Sequence, residues 1–185
     1  ASKAVDTIIS NKKRFKGVRG TVFELLSVSR TNALALETAA GGRLNAIVVE
    51  DDGVAKECIQ FLRSQKIGTA TFLPMNKIRA PKDRESAGKH KGKDGVIGFA
   101  RQLAKYDSEY ADVMRYVFGD TLVVRDLDTA RGLGIGSARF VTRDGDIVEA
   151  SGAMQGGFRK QNKGALSMGQ MVEQLDELEK DHADA

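Results

Sequence analysis

The stretch ARFVTRDGDIVEASGAMQGG, residues 138–157, carries the most informative pattern in this chain. Two β-prone runs, 140–142 and 147–148, flank Asp144-Gly145, a dipeptide typical of tight hairpin turns that need positive φ angles. The sequence therefore predicts a β-hairpin here. The residues that follow, 151–157, include three glycines and no side chain larger than methionine. Such a density of glycine indicates a sharp turn, a ligand or the close approach of another backbone.

The composition of the whole chain is typical of a soluble globular protein. Its 185 residues, 41% hydrophobic and 29% charged, can bury a core in one domain or two small lobes. The apolar runs are far shorter than the roughly 20 residues that cross a bilayer, and no signal-peptide pattern is present. We therefore expect a cytoplasmic protein without a membrane partner. The single cysteine, Cys58, excludes an internal disulfide, and its helical spacing favours a buried thiol over a nucleophile.

Both ends of the chain carry the heptad spacing of a coiled coil. The residues at the apolar positions are Ala1, Val5, Ile8, Lys12 and Phe15 at one end, and Met168, Met171, Leu175, Leu178 and His182 at the other. Because two heptads are marginal as an isolated helix, each stub needs a partner. The sequence predicts that stubs 1–16 and 159–185 pair as an antiparallel coiled coil. Two amphipathic helices packed on the body remain an alternative.

Between the stubs, the pattern predicts an α/β (α+β) fold made of two related lobes, 17–75 and 95–158. The predicted strands are 20–28, 45–49, 68–73, 121–124 and 138–142, and the predicted helices are 32–40, 54–65, 111–118 and one that ends at residue 131. Helix, glycine, strand, acidic cap, helix, glycine and strand recur in the two lobes. Residues 76–94 lie between them and are predicted to be a basic linker, because 76–93 holds seven Lys and Arg residues against two acidic ones.

The sequence offers little catalytic chemistry. Residues 132–136, GLGIG, resemble a dinucleotide fingerprint, but that motif needs a strand before the loop and a helix after it, and here the order is reversed. A small-molecule or nucleotide-binding domain that uses this loop remains the alternative function. The two histidines, His90 and His182, have no evident carboxylate partner. Asp51-Asp52 and the Asp126/Asp128 pair stand where helix N-caps are expected, which favours capping over a divalent-ion site. We expect no catalytic residue, metal or cofactor.

Basic residues gather where the body meets the two stubs. They are Lys12, Lys13, Arg14, Lys16 and Arg19 at the first junction, and Arg159, Lys160 and Lys163 at the second. If the ends emerge together, these charges converge on one neck and would bind phosphates in a salt-dependent, sequence-independent way. Base-specific readout is not expected, because only Phe15 and Phe158 are available there for stacking. A solvated charged collar without DNA affinity remains the alternative.

Four stretches, taken together, carry a resemblance to a known family. They are GVRG (17–20), ALETAAGGRLNAIVV (35–49), ARFVTRDGD (138–146) and SGAMQGG (151–157). This combination resembles the hinge domain of SMC proteins, the structural maintenance of chromosomes ATPases, in its prokaryotic condensin-type form. The resemblance covers the body from residue 17 to residue 157, with the stubs standing where the family has its long coiled-coil arms.

The resemblance implies a homodimerisation hinge that joins two arms, with the first lobe of each protomer meeting the second lobe of the other. The implied interface residues are Ser151, Gly152, Met154, Gly156 and Gly157, with Gly41 and Gly42 serving the first lobe. Glutamates at 156 and 157 are then expected to leave a folded monomer. The resemblance also implies sequence-independent DNA binding near the neck, for chromosome condensation and segregation at the nucleoid. In the full-length protein it implies kleisin-type partners and ATPase heads, whose motifs this chain lacks.

Overall fold

The computed structural model describes residues 2–158, whose helices and strands alternate along the chain. In order, they are α1 (Lys3–Ser10), β1 (Val18–Thr21), α2 (Val22–Leu25), β2 (Leu26–Val28), α3 (Arg30–Ala40), β3 (Ile47–Val49), α4 (Asp52–Ser64), β4 (Phe72–Pro74), α5 (Glu85–Gly88), β5 (Val96–Phe99), α6 (Ala100–Leu103), β6 (Ala104–Tyr106), α7 (Ala111–Phe118), β7 (Leu122–Val124), α8 (Leu127–Leu133), β8 (Phe140–Thr142), β9 (Ile147–Val148) and β10 (Met154–Gln155). Short 3₁₀ turns cover Gly41–Asn45 and Ser108–Tyr110.

The described residues form two compact units, and each draws on both halves of the chain. Unit 1 contains residues 2–26, 42–80 and 106–117, and unit 2 contains residues 27–41, 81–105 and 118–158. These units differ from the contiguous ranges 17–75 and 95–158 that the sequence predicts. The physical reason is an exchange of helices: α3 packs against α6 and β8 in unit 2, whereas α7 belongs to unit 1.

Unit 1 is built on a three-stranded sheet in the order β1-β3-β4, with β1 antiparallel and β4 parallel to β3. Its core includes Ile8 from α1, Phe15, Ile47 and Cys58, all at most 1% exposed. Burial of these side chains is the main favourable contribution to the folding of this unit.

Unit 2 is built on a five-stranded sheet in the order β10-β9-β8-β7-β5. Strand β7 is antiparallel to β5 and parallel to β8, and the two hairpin-like pairs β8-β9 and β9-β10 extend the sheet to its edge. Its core includes Leu122, Ala130, Phe140 and Val148, each 0% exposed. A third sheet consists of β2 and β6 alone.

The two halves of the chain repeat one pattern more closely than the sequence predicts. Strand, single helical turn, strand, helix, strand, helix and strand follow one another from β1 to β4 and again from β5 to β8. The backbone N–H of Glu50 donates to the Gly17 carbonyl (2.9 Å), and that of Arg125 donates to the Gly95 carbonyl (2.8 Å). The corresponding sequences are GVRG at 17–20 and GVIG at 95–98, each with a bulge before its second glycine.

Several predicted boundaries were wrong. The predicted strand 20–28 is interrupted by α2, because Thr21 and Glu24 form a reciprocal capping box that starts a helical turn. The predicted strand 68–73 is β4, which begins only at Phe72. The helices α3, α4 and α7 lie within a few residues of their predicted ranges, and Gly41 follows α3 with φ of +56°.

The N-terminal stub is shorter than predicted. Helix α1 ends at Ser10 and its Val5 and Ile8 side chains join the core of unit 1, as does Phe15 beyond the helix end. This arrangement matches the alternative of an amphipathic helix packed on the body. The predicted partner stub, 159–185, lies outside the described residues, so the coiled-coil pairing stays a prediction.

The predicted basic linker is partly built into unit 2. The turn α5 buries Ala87, and His90 behind it is 6% exposed. Asp83 accepts two hydrogen bonds from Arg101, at 3.0 and 2.7 Å, and the Ser86 hydroxyl donates to the Ser137 carbonyl (2.5 Å). These contacts hold residues 83–90 against the body of the unit.

Candidate interaction surface

The predicted interface segment forms an exposed sheet edge. Residues 151–158 are all exposed, and β10 pairs with β9 through Met154 opposite Val148 and Gln155 opposite Ile147. The backbone N–H of Glu149 adds a bond to the Ala153 carbonyl (2.8 Å). Among residues 2–158, β10 is the last strand of its sheet, and no described strand pairs with the backbone groups on its other side, so another strand can pair there.

Apolar side chains surround this edge. Of the described residues, the large hydrophobic side chains with the greatest exposure are Phe158 at 97%, Met154 at 50%, Ile135 at 46% and Ile59 at 40%. Met154 lies in β10, Phe158 follows it, and Ile135 lies about a van der Waals contact from the position of a side chain at Gly152. Residues 145 and 155–158 line a small cleft beside the strand, with a volume of about 260 Å³. Two of these four exposed side chains thus lie in or directly after β10, and Ile135 lies against the turn that leads into it.

The glycines of this segment have reasons within the chain itself. A side chain at Gly156 would overlap Oδ1 of Asp146 and lie 2.9 Å from its Cγ. Gly152 and Gly157 have φ of +100° and +136°, where other residues are strained. That Gly156→Glu with Gly157→Glu leaves a folded monomer stays a prediction, and the first substitution requires the Asp146 side chain to move. The predicted hairpin turn at Asp144-Gly145 needs a positive φ angle only at Gly145, since Asp144 has none.

The other predicted interface residues are also exposed. Gly41 and Gly42 lie at the start of the 3₁₀ turn after α3, and no atom lies within 4 Å of a side chain built at either position. Ser151 accepts a hydrogen bond from the Ala153 N–H (3.4 Å) within the turn that leads to β10. These positions are available for contact, and their role in an interface stays a prediction.

The basic residues of the first junction divide into two groups. Lys12 donates to the Arg19 carbonyl (3.3 Å) and lies 3.9 Å from Glu24, while Arg19 pairs with Glu50 (3.2 Å) and Glu109 (2.5 Å). A hydrogen bond with Tyr110 raises the pKa of Arg19 above its ordinary value.

Lys13, Arg14 and Lys16 form the second group and are exposed. The Arg14 guanidinium also lies over the Phe61 ring, 4.5 Å from its centre. Arg159, Lys160 and Lys163 lie outside the described residues. Within the described part of this junction, positive charge free to meet a phosphate thus comes from Lys13, Arg14 and Lys16.

The structure also bears on the alternative chemistries. Asp51 accepts from the Val54 N–H (2.9 Å), and Asp126 accepts from the N–H and hydroxyl of Thr129 (2.8 and 2.7 Å), so both are N-caps as predicted. The Thr129 bonds lower the pKa of Asp126. No group of three or more potential metal ligands occurs among residues 2–158. Burial raises the pKa of Cys58 to about 11, which disfavours the nucleophilic thiolate.

The loop proposed for nucleotides has the wrong surroundings for a dinucleotide fingerprint. Gly132 is inside α8, which ends at Leu133, and the residues after it lead to β8. The loop therefore follows a helix and presents no helix N-terminus to a phosphate. No helix in the described part of the chain is long and apolar enough to span a membrane.

Comparison with known proteins gives a consistent result. The family described as SMC proteins Flexible Hinge Domain matches residues 15–134, well over half of the chain. The chain belongs to the SMC hinge family. A Chromosome partition protein Smc from Thermoplasma acidophilum is 41% identical over 163 residues, and one from Synechocystis is 48% identical over 156 residues. These alignments cover 86% and 84% of this chain but 14% and 13% of the relatives, so the hinge spans about one seventh of their length.

Solved structures show the same likeness. The hinge fold matches a crystal structure of an asymmetric dimer of the Geobacillus stearothermophilus SMC hinge domain with a TM-score of 0.85 and 29% identity. That match covers 100% of this chain and 76% of the other. The predicted family and the predicted mixed α/β fold are thus both confirmed.

Sequence reasoning missed one useful signal in this hinge. The strand β5 was not predicted, although GVIG at 95–98 repeats GVRG at 17–20. Comparing these two tetrapeptides would have placed the start of the second repeat at residue 95, two strands (β5 and β6) before the helix α7 from which the repeat was recognised.

Proposed function

We propose that this hinge joins two copies of a chromosome partition protein through its exposed strand β10. The observation that carries the proposal is the open edge at β10 with Met154, Phe158 and Ile135 exposed at or beside it. Strand addition at such an edge satisfies backbone hydrogen bonds, and burial of the apolar side chains adds the hydrophobic contribution. The dimer in the Geobacillus stearothermophilus structure supports this proposal.

The strand β10 needs a partner edge on the second copy, and the sheet of unit 1 offers one. Strand β4 is the last strand of that sheet, and Pro74 at its end suits an edge position because proline has no N–H to donate. If β10 of each copy pairs with β4 of the other, two equivalent contacts close a two-fold dimer. This arrangement keeps the predicted pairing of first and second lobes across the dimer.

The interface is tested by the double variant Met154→Glu with Phe158→Glu. Both side chains are exposed, so the protomer should fold, while charges at the edge oppose association. We expect a folded monomer by sedimentation velocity and circular dichroism. Ala111→Glu, an exposed position at the start of α7 in unit 1, is the control and should remain dimeric. A double variant that still dimerises would contradict the proposal.

We also propose that the surface around Lys13, Arg14 and Lys16 binds the DNA backbone without sequence specificity. Their exposure supports this role, whereas Lys12 and Arg19 are already engaged by acidic side chains. We expect Arg159, Lys160 and Lys163 to contribute to the same function. In the full-length protein the hinge would join arms that lead to ATPase heads and kleisin-type partners at the nucleoid. The matching family description names a hinge and no catalytic activity.

The DNA proposal is tested by Lys13→Glu, Arg14→Glu and Lys16→Glu together. Each lost phosphate contact reduces the slope of log affinity against log salt by roughly 0.9, so the triple variant should lose a slope of about 2 to 3. Fluorescence anisotropy with a labelled duplex measures both affinity and slope. Lys56→Glu, an exposed change on α4, is the control. Unchanged binding by the triple variant would contradict the proposal and favour the alternative, a solvated charged collar without DNA affinity at this surface.

A further inference from the structure

We propose that Asp146 is a positioning residue for dimerisation, which sets the conformation of β10 before a second copy binds. The inference rests on the proposed function of β10 and deepens it. Asp146 is the last residue of the turn between β8 and β9, and neither its sequence context nor the family match assigns it a role.

The strand β10 has few contacts of its own. It contains two residues, both exposed, and within the described part of the chain it pairs with β9 alone. A strand this short at a sheet edge frays readily, because few buried contacts oppose the gain in backbone entropy. An interface made from it would lose affinity to the cost of ordering the strand on binding. A contact that orders the strand in the free protomer therefore strengthens association.

Asp146 supplies that contact at the end of the strand. Its Oδ1 accepts a hydrogen bond from the Gly157 N–H at 3.3 Å. The same oxygen occupies the space that a side chain at Gly156 would fill. The carboxylate thus lies against the backbone of residues 156–157, and glycine at 156 is what permits this approach.

The Asp146 carboxylate is itself held by the hairpin. The Thr142 hydroxyl donates to Oδ2 (3.1 Å) and accepts from the Asp146 N–H (3.1 Å), and the Thr142 N–H donates to the Asp146 carbonyl (2.9 Å). Thr142 is 0% exposed within β8. Each carboxylate oxygen therefore has its own partner. The buried Thr142 holds Asp146 in place, and Asp146 in turn holds the end of β10.

The decisive measurement is the dimer dissociation constant of the 185-residue chain by sedimentation equilibrium. Asp146→Ala should raise it roughly tenfold, the scale set by loss of a hydrogen bond to a charged acceptor. Asp146→Asn keeps an oxygen for the Gly157 N–H and should stay within about threefold of wild type. Asp144→Ala, an exposed carboxylate on the same turn, should behave as wild type. A purely structural role would lower stability without this pattern of rescue.

A second variant keeps the inference testable if Asp146→Ala fails to fold. Gly156→Ala places a Cβ against the carboxylate and should weaken association by about as much. Gly132→Ala, inside α8 with no atom within 4 Å of the new Cβ, is its control. In the Asp146→Ala background, Gly156→Ala should raise the dissociation constant little further, because the two changes disrupt one contact.

The outcomes separate this inference from the proposed interface. If Asp146→Ala and Gly156→Ala both dimerise as wild type while Met154→Glu with Phe158→Glu is monomeric, the positioning role is overturned and the interface stands. If the charged double variant also dimerises as wild type, the β10 interface fails, and the role of Asp146 fails with it. Weakening by Asp146→Ala with rescue by Asp146→Asn supports the inference.

Discussion

Gly95 lies where the first strand of unit 2 begins, and its environment leaves no room for a side chain. A Cβ built on it would be 2.6 Å from Thr129 Oγ1, and its φ of +81° is already unfavourable for other residues. Gly17 occupies the equivalent place in unit 1, where the Cβ would be 2.8 Å from Val54 Cγ2. The repeated glycine therefore reflects the same requirement in both repeats, close packing of the strand start against the helix that precedes the last strand of the repeat, α4 for Gly17 and α8 for Gly95.

Gly95→Ala should accordingly lower the free energy of unfolding by about 2 kcal/mol, through backbone strain and overpacking. Urea unfolding followed by circular dichroism measures this change. Gly132→Ala should have little effect or raise stability slightly, since it reduces the entropy of the unfolded chain in a helix. Equal stabilities of the two variants would contradict the packing argument.

His90 is buried in its neutral form, so we expect the stability of the protein to depend on pH. Ser137 Oγ donates to the Gly134 carbonyl (2.6 Å) and so accepts from His90 Nε2 (2.7 Å), which leaves Nδ1 facing Lys93 Nζ at 3.4 Å. Burial, and then the charge of Lys93, lower the pKa of His90 below its ordinary value of 6.5. Protonation would place a second positive charge beside Lys93.

The stability from neutral His90 is complete above pH 6.5, the value in the unfolded chain, and is lost as the pH falls toward the lower folded value. His90→Gln does not titrate. The free energy of unfolding of wild type should therefore fall relative to that of His90→Gln between about pH 7.5 and pH 5. Parallel pH profiles for the two proteins would show that His90 is not buried as described.

At the scale of elements, the segment between the repeats is the clearest departure from the sequence prediction. Its charge pattern predicts a solvated linker, yet Asp83 bonds Arg101, whose side chain is 10% exposed and also donates to the Gly119 carbonyl (2.9 Å). Charge composition describes the average surroundings of a segment. It does not reveal that the buried Arg101, which belongs to another element, pairs with Asp83 in particular.

Asp83→Ala should lower the free energy of unfolding by about 2 kcal/mol, because it removes two hydrogen bonds from a mostly buried arginine. Chemical denaturation gives the value. Asp94→Ala is the control within the same segment, since its side chain is 96% exposed and lies 3.9 Å from Arg125. We expect that control to stay within about 0.5 kcal/mol of wild type. A neutral Asp83→Ala would mean that residues 83–90 are not anchored in solution.

Other elements show which patterns a sequence conveys. Helices α3 and α4 were found because two or more turns give a clear apolar period and an acidic or glycine boundary. The single turns α2 and α6 are too short to show any period, so the strands beside them were merged or missed. Asp146 escaped notice because its partner lies eleven residues further along and only the folded hairpin brings them together.

At the scale of the molecule, the chain consists of two repeats that exchange one helix each. Unit 1 holds α7 from the second repeat, and unit 2 holds α3 from the first. The order of elements in a sequence does not say which sheet a helix covers, since helix and strand can pack across any length of chain. The repeat was predictable, but the exchange required the tertiary contacts.

The two repeats differ at one place that matters for assembly. The sheet of unit 1 ends at β4, whereas the sheet of unit 2 continues through β9 and β10. One sheet thus has an added edge with exposed apolar side chains, and the other lacks it. Because one protomer carries two different edges, the pairing of β10 with the partner's β4 can occur twice around a two-fold axis.

Light scattering across a wide concentration range tests the central claim most directly, since the claim is that β10 joins two copies of this 20.0 kDa chain. We expect a mass twice 20.0 kDa for wild type and 20.0 kDa for Met154→Glu with Phe158→Glu, with circular dichroism unchanged. A wild-type monomer at every concentration, or a double variant that keeps the dimer mass, would contradict it.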